Sequence, residues 1–167
     1  MNKVHFSSRT DLWSTPQWLF DLFNAEKEFD LDVCAIPTNA KCKKYFSPDM
    51  DGLSQDWSKN RCWMNPPYGR EIGSWVEKAY LSSLAGAEVL ALLLARVDTS
   101  WWFEFCLKAE EIRFLKGRLR FGGQADNKAE NCAPFPSAIV IWTPGKHKQP
   151  RVRFVDLKET QQSLFGC

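Results

Sequence analysis

Histidine is almost missing from this chain: two residues in 167, His5 and His147, each near an end. That scarcity argues against His-based triads and His-rich metal sites. Zinc spacing is missing as well, because none of the six cysteines (Cys34, Cys42, Cys62, Cys106, Cys132, Cys167) forms a C-x2-C pair. Nor do residues 1–6 carry the apolar stretch of a secretory leader, so the cysteines read as reduced thiols, with Cys62 and Cys106 acting as small hydrophobes. The longest apolar run, 89–95, is far short of the ~20 residues that cross a bilayer. A strong net charge is also lacking: 22 Lys+Arg against 20 Asp+Glu leave +2, which excludes a uniformly basic coat. A soluble, cytoplasmic, metal-free protein is expected, with no membrane association and no evident obligate protein partner.

What is present is globular composition, 44% hydrophobic and 25% charged. At roughly one domain per ~150 residues, a single domain over 1–167 follows. Charge is uneven along it. Residues 108–153 carry ten Lys/Arg and four Asp/Glu, a local excess of six that leaves −4 for the remainder. A polyanion on one face and a different ligand on another would account for this, as would a solvated surface.

Residues 1–13 read as an arm. Thr15 then caps a helix with Pro16 at its first position and Trp18, Leu19, Leu22 and Phe23 on one face. A short strand at 29–34 places Asp32 near its carboxyl end. Residues 36–60 are polar and irregular, and a second buried strand at 61–64 runs into Asn65-Pro66-Pro67-Tyr68. Ile72, Trp75, Val76, Ala79 and Tyr80 recur at helical spacing. The run 88–95 reads as a central parallel strand buried on both faces. A helix at 99–107 follows, then strands at 112–115, 118–121, 137–142 and 152–155, with 122–136 as a mobile surface loop. The order predicts a three-layer α/β domain with a mostly parallel sheet and an antiparallel edge.

Ligands of open α/β sheets bind outside the carboxyl ends of the strands. Asp32 and Asn65 both occupy such positions. Two successive prolines stiffen the Asn65 loop, so the Asn65 side-chain oxygen and the Pro66 carbonyl become two rigid acceptors. Such a pair suits a planar NH₂ group: accepting both hydrogens frees the nitrogen lone pair for attack. Tyr68 offers a face on which an aromatic base can stack. By itself the tetrapeptide is also compatible with an ordinary turn.

Asn65-Pro66-Pro67-Tyr68 resembles the catalytic motif of S-adenosylmethionine-dependent amino-methyltransferases, most closely the small phage-type DNA adenine-N6 enzymes. The segments 15–20, 29–35, 51–57, 95–99, 117–122 and 133–137 extend the resemblance in one order. It implies a Rossmann-like methyltransferase domain, phage or prophage encoded, that moves a methyl group to adenine N6 in DNA after base flipping. Asn65, Pro66, Pro67 and Tyr68 would be catalytic. Thr15, Pro16, Asp32, Cys34, Ala35, Asp51 and Asn65 would hold S-adenosylmethionine, with Asp49 or Asp56 as alternatives to Asp51. The glycine-rich turn common in methyltransferases is replaced by Ile36-Pro37-Thr38-Asn39. Arg70, directly after the catalytic loop, is the best single candidate for a phosphate near the flipped base; Lys116, Arg118, Arg120 and Lys128 are further expected DNA contacts, each also readable as a solvated charge. Alternatives within the chemistry are RNA adenine, cytosine N4 or a protein glutamine as acceptor; outside it, a silent nucleic-acid-binding module.

Overall fold

Apolar residues at helical spacing form α1 (Gln17–Lys27), with Leu19, Phe20 and Phe23 buried. Pro16 has extended ψ (136°), so the helix begins one residue later than the sequence predicts, with Pro16 as its cap. The Pro16 carbonyl accepts from the amides of Leu19 at 3.1 Å and Phe20 at 3.2 Å. Thr15 therefore does not cap this helix, and its hydroxyl is spent elsewhere. At the other end Glu28 turns left-handed (φ 52°), and the Asn24 side chain accepts the Phe29 amide at 2.8 Å.

The computed structural model describes residues 14–121, 132–133 and 135–165. The expected arm at 1–13, Lys128 and most of the expected loop at 122–136 lie outside the described residues.

Two short strands come next, β1 (Leu31–Asp32) and β2 (Lys44–Tyr45), then 3₁₀ turns at Pro48–Met50 and Gly52–Ser54. After them run β3 (Arg61–Met64), α2 (Ile72–Leu84), β4 (Glu88–Leu94) and α3 (Ser100–Phe105), which a 3₁₀ turn at Cys106–Lys108 extends. The chain continues through β5 (Glu111–Lys116), β6 (Ser137–Trp142), β7 (Arg151–Asp156) and α4 (Leu157–Phe165). The seven strands form one mixed sheet in the order β2-β1-β3-β4-β6-β5-β7. Only β6 runs against its neighbours; β2, β1, β3 and β4 are mutually parallel, and β7 is parallel to β5.

The antiparallel strand is thus inside the sheet, and the expected antiparallel edge is overturned. The reason is burial. Every residue of β6 is buried, which only an interior position provides, whereas β7 at the edge exposes Arg151 to Phe154. The strand expected at 118–121 is also absent among the described residues, reduced to one bridge between Arg120 and Cys132. Leu119 and Phe121 there are buried while Arg118 and Arg120 are exposed.

Alternation along β4 divides the core in two. Val89, Ala91 and Leu93 pack with Trp75, Val76 and Ala79 of α2 and Trp102 of α3. Leu90 and Leu92 face Leu19, Phe20 and Phe23 of α1. Helices on both faces leave the ends of the strands as the place where backbone polar groups reach solvent.

Candidate active site

Because β6 is reversed, its amino end lies at the same rim as the carboxyl ends of the six other strands. Asp32 (β1), Asn65 (after β3), Arg96 (after β4), Lys116 (end of β5) and Ser137 (start of β6) all stand along that rim. Asp32 pairs with Trp63 across adjacent parallel strands, so Asn65 follows two residues beyond. The Asn65 backbone amide donates to the Cys34 sulfur. These contacts bring the β1 turn and the Asn65 loop together, as the sequence predicts.

Asp32 is buried, and each carboxylate oxygen meets one backbone amide: Cys34 at 3.3 Å and Lys41 at 3.0 Å. No ion pair reaches it among the described residues; the Lys41 ammonium turns instead to Gln17 at 2.9 Å. Burial pushes its pKa up to about 6, against the pull of those two amides. Burial, with the Asp32 charge beside it, likewise pushes the Cys34 thiol well above its usual range, so it is a neutral wall rather than a nucleophile. Ala35 is buried and its amide donates to the Phe46 carbonyl at 3.0 Å.

The turn that replaces a glycine-rich loop is closed by a side chain. Asn39 Oδ1 accepts the Ile36 amide at 2.9 Å, and its Nδ2 donates to Ser14 at 3.4 Å. The Asn39 and Ala40 amides both return to the Ile36 carbonyl at 3.0 Å. Asn39 and Lys41 are parts of the site that sequence reading missed. An Asn two residues after Pro37 is a turn signal, but the Lys41 amide carries no signature in the sequence.

Among the three acids of the next segment, Asp56 is already engaged: it accepts from the Ser58 amide at 2.8 Å and the Ser58 hydroxyl at 2.9 Å. Asp49 sits in the first 3₁₀ turn, and Asp51 adopts a left-handed backbone (φ 51°) beside Gly52. A Cβ on Gly52 would stand 2.3 Å from the Val33 carbonyl oxygen, so glycine is what lets this segment close on the end of β1.

Thr15 is buried, and its hydroxyl oxygen accepts from Asn65 Nδ2 at 3.0 Å. Asn65 Oδ1 faces the Tyr68 hydroxyl at 3.0 Å, and the same hydroxyl lies 3.3 Å from the Leu92 carbonyl. One phenolic proton serves two acceptors there, with the shorter distance to Asn65. The Tyr68 ring meets Phe121 edge-on at 6.2 Å, and burial raises its pKa, so it remains a phenol. Pro66 is buried and Pro67 half-buried. Tyr68 is thus turned onto Asn65 and Phe121, and its ring does not stand clear as the open stacking face that the sequence suggests.

The basic candidates divide. Arg70, Arg118 and Arg120 are exposed; Arg118 also reaches the Ala133 carbonyl at 3.3 Å. The segment from Lys116 to Phe121 leads from the end of β5 back to Tyr68, which brings both arginines to the rim. Lys116 is tied to Asp156 at 2.5 Å. Arg96, passed over in the sequence, lies with its guanidinium 5.0 Å from the Phe135 ring centre. Among the described residues no cluster of His, Cys, Asp and Glu is arranged to hold a metal, and no helix is long and apolar enough to cross a membrane.

Comparison with known proteins adds a family. The model described as DNA N-6-adenine-methyltransferase (Dam) matches residues 4–164. A DNA N-6-adenine-methyltransferase of Haemophilus phage HP1 is 32% identical over 162 residues, covering 91% of this chain and 92% of the relative. One of the same description from Escherichia phage T1 is 33% identical over 111 residues, 65% of this chain and 46% of the relative.

Proposed function

From the premise that this chain belongs to the Dam family of DNA N-6-adenine methyltransferases, enzymes specific for adenine in DNA, we propose that its rim performs the transfer with S-adenosylmethionine as donor. The observation that carries this reading is the junction of the two loops: Asn65 is bonded by side chain to Thr15 and by backbone to Cys34, at the ends of adjacent strands.

A buried carboxylate with no ion-pair partner among the described residues, as at Asp32, suits the ammonium of the donor's methionine part. Cys34 and Ala35 line the same turn, Thr15 and Pro16 lie against the donor from the N-terminal side, and Asp51 takes the adenosine, with Asp49 as the alternative because Asp56 is bound to Ser58. The donor supplies an electrophilic methyl carbon on a sulfonium. The chain's own residues prepare the amine. An adenine in a duplex must leave its stack, at a cost of a few kcal/mol. Its two N6 hydrogens then meet Asn65 Oδ1 and the Pro66 carbonyl, which draws the nitrogen lone pair out of the ring. The Tyr68 hydroxyl must first leave Asn65 Oδ1, after which its ring can lie against the base. Holding the amine in line supplies much of the acceleration: as the bond from N6 to the methyl carbon forms, the carbon–sulfur bond of the donor would break to leave a neutral thioether, and the proton released from N6 passes to water.

The test is product identification: labelled donor is offered with unmethylated DNA, RNA or a protein extract, and the digest is analysed. N6-methyladenine from DNA supports the reading; label in cytosine, RNA or glutamine overturns it. Asn65→Ala should lower turnover at least a thousandfold (on the order of 4 kcal/mol) while donor binding by calorimetry is retained. A folded Asn65→Ala protein with near-parental turnover removes Asn65 from the chemistry.

A further inference from the structure

Two buried side-chain polar atoms among the described residues have no hydrogen-bond partner: Trp75 Nε1 and Ser137 Oγ. They lie on opposite faces of the sheet. Trp75 stacks on Trp57 at 6.1 Å, under α2. Ser137, 1% exposed, opens β6 opposite Leu94. Side chains alternate along a strand, so Ser137 shares its face with Ile139 and Ile141. That is the face of Leu92, Tyr68 and Phe121. Leu92 and Leu94 are the register partners of Ile139 and Ser137, and the Leu92 carbonyl is where Tyr68 anchors its hydroxyl. The unpaired hydroxyl therefore lies at the rim, two residues along β4 from the atom that holds Tyr68.

A desolvated hydroxyl with nothing to bond destabilises a fold, and native structures seldom keep one without use. Alanine or valine would fill the start of an apolar strand more cheaply. We propose that Ser137 reads the target base, its hydroxyl donating to a ring nitrogen of the flipped adenine. This rests on the proposed function, which assigns both N6 hydrogens to Asn65 and Pro66 and leaves the ring nitrogens as the acceptors still to be matched. Ser137 fixes the base's orientation within its plane and is a specificity residue of the same reaction.

The test pairs a side-chain deletion with single-atom deletions in the substrate. Ser137→Ala should lower kcat/KM on unmodified duplex DNA about tenfold, the worth of one hydrogen bond near the upper end of the neutral range. Its Tm should be unchanged or higher, because an unpaired buried hydroxyl is removed. On duplexes carrying 1-deaza-, 3-deaza- or 7-deazaadenine at the target, one analogue should slow the parent by a similar factor, and Ser137→Ala should slow that analogue no further. Parental kcat/KM in Ser137→Ala overturns the inference, as does an equal Ser137→Ala defect on all three analogues or a fall in Tm that tracks the fall in activity. The parent alone also decides: if none of the analogues is slower, no ring nitrogen is read. Failure here with an inactive Asn65→Ala sinks this inference only, whereas a fully active Asn65→Ala sinks the reading beneath it.

Discussion

Asp32 carries a buried carboxyl at the rim, and its burial has a measurable cost to the fold. Its pKa is raised from 3.8 to about 6 by burial, so the folded protein holds this proton more tightly than the unfolded chain. The corresponding stability is complete below the unfolded value and disappears as pH rises through about 6, an effect of about 3 kcal/mol. Asp32→Asn should remove that slope. Urea melts of parent and variant should show their difference moving in the variant's favour between pH 4 and 7. A constant offset is expected too, because both Asp32 oxygens accept amides and asparagine keeps only one acceptor. If the difference does not change with pH, Asp32 is not the buried acid described. If Asp32 holds the donor's ammonium as proposed, donor binding should weaken below about pH 6 in the parent, as that carboxylate becomes protonated.

Residues of this kind are unevenly legible in the sequence. Asn65 and Asp32 stand out because strand ends next to prolines or acids are informative, and they do share one rim. Thr15 is recognisable but suggests the wrong local role. Its position before Pro16 points to a cap, yet its hydroxyl accepts from Asn65. Ser137 cannot be singled out, since a missing partner is visible only once every neighbour is placed.

At the scale of elements, the same contrast has a physical basis. The apolar runs of β4 and β6 carry their burial in the sequence, and both strands form close to where expected. β2 is two residues at a sheet edge, Lys44 and Tyr45, neither fully buried, and so leaves no hydrophobic pattern to detect. Helix α4 does have a signal: Asp156 Oδ1 accepts the amides of Lys158 at 3.0 Å and Glu159 at 3.4 Å, an N-cap with a glutamate three residues on. The antiparallel edge failed because strand direction depends on where β6 inserts, which composition does not encode. Packing between elements is most sensitive at Gly52. Gly52→Ala drives a methyl into the Val33 carbonyl and disturbs the Gly52 carbonyl that accepts Trp57 Nε1 at 2.8 Å. A decrease of about 1–3 kcal/mol in chemical denaturation is expected, with donor affinity falling more than DNA affinity. A fully stable Gly52→Ala protein would show that the backbone there can withdraw.

For the whole molecule, the decisive feature is that a nearly neutral chain concentrates charge by position. Arg70, Arg118 and Arg120 are exposed close in sequence to Tyr68 or to its ring partner Phe121, while Lys27 is paired with Glu88, Lys116 with Asp156, and Arg113 with Glu26 and Glu111. Arg118 and Arg120, exposed and without an ion pair among the described residues, are then the cations to test for phosphate contact. Replacing Arg118 and Arg120 by Gln should make the slope of log K against log salt shallower by about 0.9 for each phosphate that is no longer neutralised. Fluorescence anisotropy across a salt series measures this, and an unchanged slope excludes both residues from phosphate binding.

The Tyr68 hydroxyl resting on Asn65 has one more consequence. A competitor built into the same chain cannot be diluted away, and its local concentration at that oxygen exceeds what any free small molecule reaches in solution. Loose adenine, nucleosides and other amines arriving singly are at a disadvantage against it. A base tethered to a strand already docked on the rim arrives at comparable local concentration. If Asn65 receives the base as proposed, the Tyr68 contact should favour polymer over monomer before any atom of the base is recognised.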